Sequence, residues 1–238
     1  MASNSNEPET FESPLSLTVR DVELFRVLTP AQMQLVESSH CQRTFKRNEI
    51  IYSEGQQPEG LYILASGKVK IYKEGVGGRE QIVKLASPQE FIGYRALMSG
   101  QKHIATAMAL DPCVAFFLSE ELVMQLLREN NELCLFIIKS LAIELGFSRY
   151  RSVTLTQKQI RGRLAEGLIV LRDKYGYIDG NTLNANLSRE DVANLCNMTT
   201  SNAIRTLSNF VSENIIAVNG RTIKILNEPM LERISRLG

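Results

Sequence analysis

The chain has 238 residues, 44% of them hydrophobic, which is enough for one large core or two modest ones. Its 27 Lys and Arg nearly balance 26 Asp and Glu, leaving a formal net charge of +1, so any basic surface has to be local. That balance excludes a chain that binds nucleic acid or a membrane by bulk charge alone. No apolar run is long enough to span a bilayer, so no membrane partner is expected.

The polar start MASNSNEPETFESP lacks the apolar stretch of a secretory leader. Residues 1–20 therefore read as a flexible, solvated tail, and a cytoplasmic location is expected. Cys41, Cys113, Cys134 and Cys196 are widely spaced with no CxxC pair, which argues against a disulfide framework. Cys134 and Cys196 fall within apolar helical patterns, where a cysteine serves as a small buried hydrophobe.

The first half reads as strands. RTFKRNEIIYSEG, LYILASGKVKIYKEG, EQIVKLASP and HIATAMALDPCVAFFL are short apolar or alternating runs, punctuated by glycines at the spacing of a β-sandwich or barrel. The second run, broken at Gly67, predicts two strands meeting at a tight corner. GVGG at 75–78 reads as a hairpin tip rather than a phosphate cradle, because no helical pattern follows it.

Near Ser119 the period changes. SEELVMQLLREN has a serine cap followed by acidic residues, as a helix start prefers. NNELCLFIIKSLAIELGFSRYRSVTL then predicts a long central helix over 129–157, apolar on more than one face. Such a helix needs cover from two sides. The β domain supplies one, and the same helix of a second copy can supply the other, with Leu133, Ile137, Leu141 and Leu145 at the subunit contact. The alternative is a helix buried within one protomer. From Ile160 an amphipathic stripe of Ile160, Leu164, Leu168 and Leu171 predicts a helix ending near Gly176.

SREDVANLCNMTTSNAIRTLSNF, starting at Ser188, carries the most specific local pattern. Ser188 and Asp191 form a capping-box start, Asn197 suits the left-handed conformation of a sharp turn, and Thr199 caps the next helix. On that second helix Ala203, Leu207, Phe210 and Val211 should face inward, with Ser201, Arg205, Ser208 and Ser212 outward. IIAV and RTIKIL, separated by Asn219–Gly220, predict a hairpin on a type I′ turn. Helix-turn-helix plus hairpin is a winged helix over 158–228, followed by a C-terminal tail at 229–238. Ten Lys and Arg against eight Asp and Glu over 159–238 make binding a matter of placement. The candidate DNA contacts are Arg189, Thr199, Thr200, Ser201, Asn202 and Arg205, with Arg221 and Lys224 in the wing. An arginine among hydroxyls suits base reading, since Arg bonds guanine O6 and N7 together.

FKRNEIIYSEGQQPEGLYILASGKVKIYKEG in front and REDVANLCNMTTSNAIRTLSNF behind, joined by the long helix, resemble the Crp/Fnr family of bacterial transcription regulators over about residues 21–228. The resemblance implies an α+β chain: an N-terminal β-roll or jelly-roll sensor domain of cyclic-nucleotide-binding type over 21–128, a dimerisation helix and a C-terminal winged helix-turn-helix. It also implies a homodimer on an inverted-repeat operator, with half-sites about 34 Å apart, and RNA polymerase as a further partner. Where family members commonly carry a glutamate on the reading helix this chain has Ser201. Arg205 matches the family's guanine-reading arginine.

The matching sensor pocket comprises Gly93, Tyr94, Arg95, His103, Ile104 and Arg149. Members that bind cyclic AMP are expected to place a glutamate and an Arg-Ser pair where this chain has Tyr94, His103 and Ile104. Those departures argue against ordinary cyclic-AMP binding, since Ile104 cannot donate to a phosphate. GYRALMSG resembles the oxygen- and nitric-oxide-responsive branch, yet no cysteine precedes Cys41, so an iron–sulfur cluster is not expected. Haem stays among the candidate cofactors because histidine is a normal axial ligand, with His103 the candidate; the effector itself is not identified. Arg95 with Arg149 is a candidate anion site, and ion-paired structural arginines are the alternative.

The leading reading is thus a homodimeric DNA-binding regulator answering a signal other than cyclic AMP. A haem- or redox-gas-sensing member of the same family, and a regulatory module acting by protein contact, are the alternatives. Two histidines, no nucleophile motif, no metal-ligand cluster and no P-loop supply no catalytic group, so no enzyme is expected.

Overall fold

Thr29 accepts a hydrogen bond from the Gln32 amide and Pro30 takes the first helical position, and these start helix α1, Pro30–Ser39. The computed structural model describes residues 17–238. The tail expected over 1–20 lies outside the described residues up to position 16. Its last part is anchored through Val19, which is buried along with Val22, Leu24 and Phe25 while Thr18 and Arg20 stay exposed.

Eight short strands follow, in two antiparallel four-stranded sheets. β1 (Cys41–Phe45), β2 (Ile50–Tyr52), β3 (Gly60–Ser66), β4 (Val69–Glu74), β5 (Glu80–Ala86), β6 (Phe91–Ile92), β7 (Thr106–Ala109) and β8 (Cys113–Ser119) run in chain order, with helix α2 (Tyr94–Ser99) after β6. One sheet has the order β1-β8-β3-β6 and the other β2-β7-β4-β5. The corner expected at Gly67 is the β3–β4 turn. Its φ is +85°, and a Cβ there would lie 2.5 Å from both Cys113 Sγ and the Pro112 carbonyl, so only glycine fits. The 75–78 segment does join β4 to β5.

Ser119 caps α3, Glu120–Glu129, through the Leu122 amide, and Asn130 caps α4, Asn131–Gln157, through Leu133. Helix α5 spans Ile160–Tyr175 and ends at Gly176. The helix-turn-helix is α6 (Arg189–Leu195) and α7 (Thr200–Ser212), with Asn197 in the left-handed region at φ 49° between them. Strands β9 (Ile216–Asn219) and β10 (Thr222–Ile225) form the wing. One core, with Val36, Leu61, Leu118 and Ile137, lies between the first sheet and the flanking helices. A second, centred on Leu168, Ala203, Leu207 and Phe210, fills the winged helix and runs on into Ile82 and Leu85 of β5.

Four expectations need correction. Residues 229–238 are not a tail: α8, Glu228–Leu237, buries Leu231 and Ser235 beside α5. Its amphipathic stripe, led by an Asn227 cap and Pro229, is the local signal that shows it. Val211 is 40% exposed, because the winged-helix core is closed by Ala203, Leu207 and Phe210 without it. The wing turn sits one residue later than read. Asn219 pairs with Thr222, so Gly220 and Arg221 form the turn; only Gly220 has positive φ, as a type II′ turn requires. Finally, Leu133 and Ile137 are almost fully buried against their own sensor domain, and Leu141 packs at the edge of the same core. Of the four expected subunit-contact residues only Leu145 is exposed, because a ridge of four-residue steps drifts by about 40° a step around α4 and leaves the sensor face by Leu145.

Candidate nucleic-acid interface and sensor pocket

The reading helix is built from its cap outward. Thr199 accepts from the Asn202 amide, which opens α7 cleanly and leaves Thr199, Thr200 and Ser201 exposed at its start. One turn on, Arg205 is exposed and donates to Asn202 Oδ1 at 2.7 Å, so its guanidinium is held along the helix surface. Ser208 and Ser212 continue the polar face, and Ile204 interrupts it at 47% exposure. The Ser188–Asp191 capping box is present at the start of α6.

Arg189, an expected DNA contact, is engaged within the protein. Its Nη2 donates to the Gly220 carbonyl at 2.5 Å, tying the start of α6 to the wing turn, and its buried Nη1 has no partner among the described residues. Arg221 stands exposed at that turn. Lys224 is half-buried, bridged through its backbone to Thr182, and so lies on the strand rather than at the wing tip. The structure thus groups Thr199 to Arg205 on one face and joins Arg189 to the wing.

Contacts between the sensor and α6 have no local sequence signal. Lys70 of β4 donates to Asp191 Oδ1 (2.8 Å) and Glu80 Oε2 (3.1 Å) while itself nearly buried. Gln81 donates to the Asn194 carbonyl (2.7 Å) and Arg79 to Asn197 Oδ1 in the turn (2.7 Å). The contacts to Asp191, Asn194 and Asn197 each join residues more than a hundred positions apart.

Around the expected sensor pocket, Gly93 takes φ +86° at the start of α2. A Cβ on it would meet His103 and Tyr52 within 3.7 Å, so those two rings occupy the space beside it. His103 is buried and stacks on Tyr52 at 3.9 Å. Tyr94 is buried and turned the other way, its hydroxyl 3.3 Å from Lys84 Nζ and its ring edge-on to Phe91. Arg95 bonds Gln101 and the Lys102 carbonyl, Ile104 is 52% exposed, and Arg149 is exposed on α4 with no bond to Arg95 among the described residues. Rings fill the place beside Gly93, and the one nearby guanidinium is engaged within its own loop. His103 thus packs as a core ring against Tyr52. Among the described residues no group of three or more His, Cys, Asp or Glu is placed to hold a metal ion, and no helix is long and apolar enough to cross a membrane.

Burial, with Arg95 nearby, pushes the His103 pKa below its ordinary 6.5. Folding therefore favours the neutral ring. The associated stability is fully present above pH 6.5 and is lost as pH falls from there through the folded-state value. The melting temperature of the wild-type chain should drop more steeply between pH 7 and 5 than that of His103→Phe. His103→Ala should cost about 1 kcal/mol at pH 7 through the lost stack.

Two family models match this chain: a cyclic nucleotide-binding domain over residues 42–130 and a Crp-like helix-turn-helix domain over 162–234. The chain belongs to the Crp/Fnr family of transcription regulators. Among this regulator's relatives is a CRP-like cAMP-activated global transcriptional regulator of Mycobacterium tuberculosis, 22% identical over 215 residues, covering 90% of this chain and 96% of that one. A global nitrogen regulator of Nostoc is 27% identical over 194 residues, covering 80% and 87%. The solved structure of FixK2 from Bradyrhizobium japonicum matches with a TM-score of 0.74 at 21% identity, covering 82% of this chain and 96% of that one. The last of these shows the shared fold. It agrees with a β-sheet sensor, a long helix and a DNA-binding helix-turn-helix in one chain, as the sequence led us to expect.

Proposed function

We propose that this Crp/Fnr regulator acts as a homodimer that reads an inverted-repeat duplex through paired α7 helices, under a signal other than cyclic AMP. The observation that carries the reading is the outer face of α7, where Thr199, Thr200, Ser201, Asn202 and Arg205 gather while Ala203, Thr206, Leu207 and Phe210 on the opposite face are buried. In this reading Arg205 takes a guanine, the hydroxyls reach neighbouring bases or phosphates, and Arg221 with Lys224 follows the backbone. Arg189 acts as a positioning residue that holds the wing.

The subunit contact is redrawn from exposure. Leu135, Ile138, Ala142, Leu145 and Arg149 are exposed at alternating spacings of three and four, a seam two helices share side by side. Rejection of a cyclic nucleotide rests on the rings beside Gly93, which also leave the signal to a different chemistry.

Gel retardation with an enriched pool of duplexes, at low and moderate salt, tests the reading. An inverted repeat with a guanine in each half-site should emerge. Sedimentation should show dimers at micromolar concentration, and Ile138→Ala should weaken them by about 2 kcal/mol, roughly 30-fold. A monomer throughout, or no retardation of any duplex, defeats the proposal.

A further inference from the structure

Exposed aliphatic side chains scattered singly over a protein surface need no explanation. Ile204 has a more particular place. With about 100° per residue along α7, it lies about 70° from the centre of the outer face formed by Ser201, Arg205, Ser208 and Ser212. The centre of the buried face, formed by Ala203, Thr206, Leu207 and Phe210, is about 110° away from it. Ile204 is 47% exposed, and its neighbours Thr200, Ser201, Arg205 and Ser208 are exposed with it.

The hydroxyls around it are partly engaged. Ser208 Oγ donates to the Ile204 carbonyl (3.0 Å) and Ser212 Oγ to the Asn209 carbonyl (2.8 Å), which commits both protons to their own helix. Apart from Arg205, Ile204 is the largest exposed side chain in the first two turns of α7. Those turns meet base edges when such a helix lies in the major groove. An isoleucine brings no donor and no acceptor there. Set against guanine, adenine or the cytosine amino group, it removes water from a polar edge without pairing with it, which is unfavourable. Thymine alone presents a methyl group in that groove, on C5.

We infer that Ile204 reads a thymine, its branched end packed on the C5-methyl while Arg205 holds the guanine of the same half-site. This role rests on α7 entering the major groove, as the proposed function has it. Arg205 then selects by paired hydrogen bonds, and Ile204 by burying a methyl group and rejecting polar edges. The thymine is separate from the base pair facing Ser201, which stays variable. Val211, 40% exposed, lies on the same flank seven residues later, too far from the helix start to share the task.

The test compares the enriched duplex with copies in which deoxyuridine replaces each thymine in turn. Deoxyuridine pairs as thymine does and lacks only the methyl group. Affinity of the full chain, from gel retardation, should fall about fourfold per half-site at one thymine, as burial of a single methyl group implies. Ile204→Ala should bind the thymine duplex at least about fourfold more weakly and lose the deoxyuridine difference. The side chain is exposed and alanine favours a helix, so this variant keeps its fold. Val211→Ala should retain the full deoxyuridine response, which separates a specific contact from a general loss of apolar surface. Four results overturn the role of Ile204 and leave the dimeric reader standing: an enriched pool with no fixed thymine, no deoxyuridine response in the wild-type chain, a response that persists in Ile204→Ala, or one that Val211→Ala removes equally. Failure to retard any duplex overturns both.

Discussion

Arg205→Ala lowers affinity for the preferred duplex by about 1–3 kcal/mol and relaxes discrimination at one base pair per half-site. The guanidinium is exposed one turn into α7, and Asn202 Oδ1 holds it at 2.7 Å, so little side-chain freedom remains to be lost on contact. Ser201, one turn earlier, is too short to reach across and accept from a cytosine as a glutamate does. The operator should therefore keep a guanine opposite Arg205 and tolerate variation beside it. Competition binding over single-base variants measures this directly. A uniform loss on every sequence, with the salt slope reduced by about one, would make Arg205 a phosphate contact instead.

Lys70→Met should destabilise the chain by about 3 kcal/mol, among the largest effects of any single side chain here. Lys70 Nζ lies between Asp191 (2.8 Å) and Glu80 (3.1 Å), and its side chain is only 9% exposed. Removing it leaves two carboxylates facing each other in a seam that holds α6 against β4 and β5. Amide exchange in α6 should quicken with the loss of stability, and Lys70→Met with Asp191→Asn should recover at least half of it. A loss below about 1 kcal/mol would mean that water enters the seam and screens the pair.

The pair is not a switch near neutral pH. Burial disfavours both charges, yet the partners outweigh it, leaving the Lys70 pKa raised and the Asp191 pKa lowered. The Asp191 contribution is complete above pH 3.8 and disappears as pH falls through the depressed value. The Lys70 contribution is complete below pH 10.5 and disappears as pH rises through the raised one. Acidification from pH 7 to 5 should act through His103 and leave this seam closed.

What the sequence determined by itself are the features written within a few residues of one another. Ser188 with Asp191, Asn197 and Thr199 place two helices and their turn, because caps and left-handed residues act through neighbouring backbone groups. The glycine-broken strands, the cap at Ser119, and the inward stripe of Ala203, Leu207 and Phe210 were legible for the same reason. The outward face of α7, and hence the reader, came with them.

Tertiary structure alone decided which apolar face of α4 meets its own sensor. A helix apolar all round carries no periodic signal to separate Leu133 and Ile137 from Leu135 and Ile138, and only packing sorts them. It likewise joined Arg189 to the wing carbonyl, stacked His103 on Tyr52, and set Arg163 with Arg151 where α4 meets α5. Each of those arrangements joins residues from distant elements, and partners so far apart along the chain are chosen by the fold's geometry rather than by local preference.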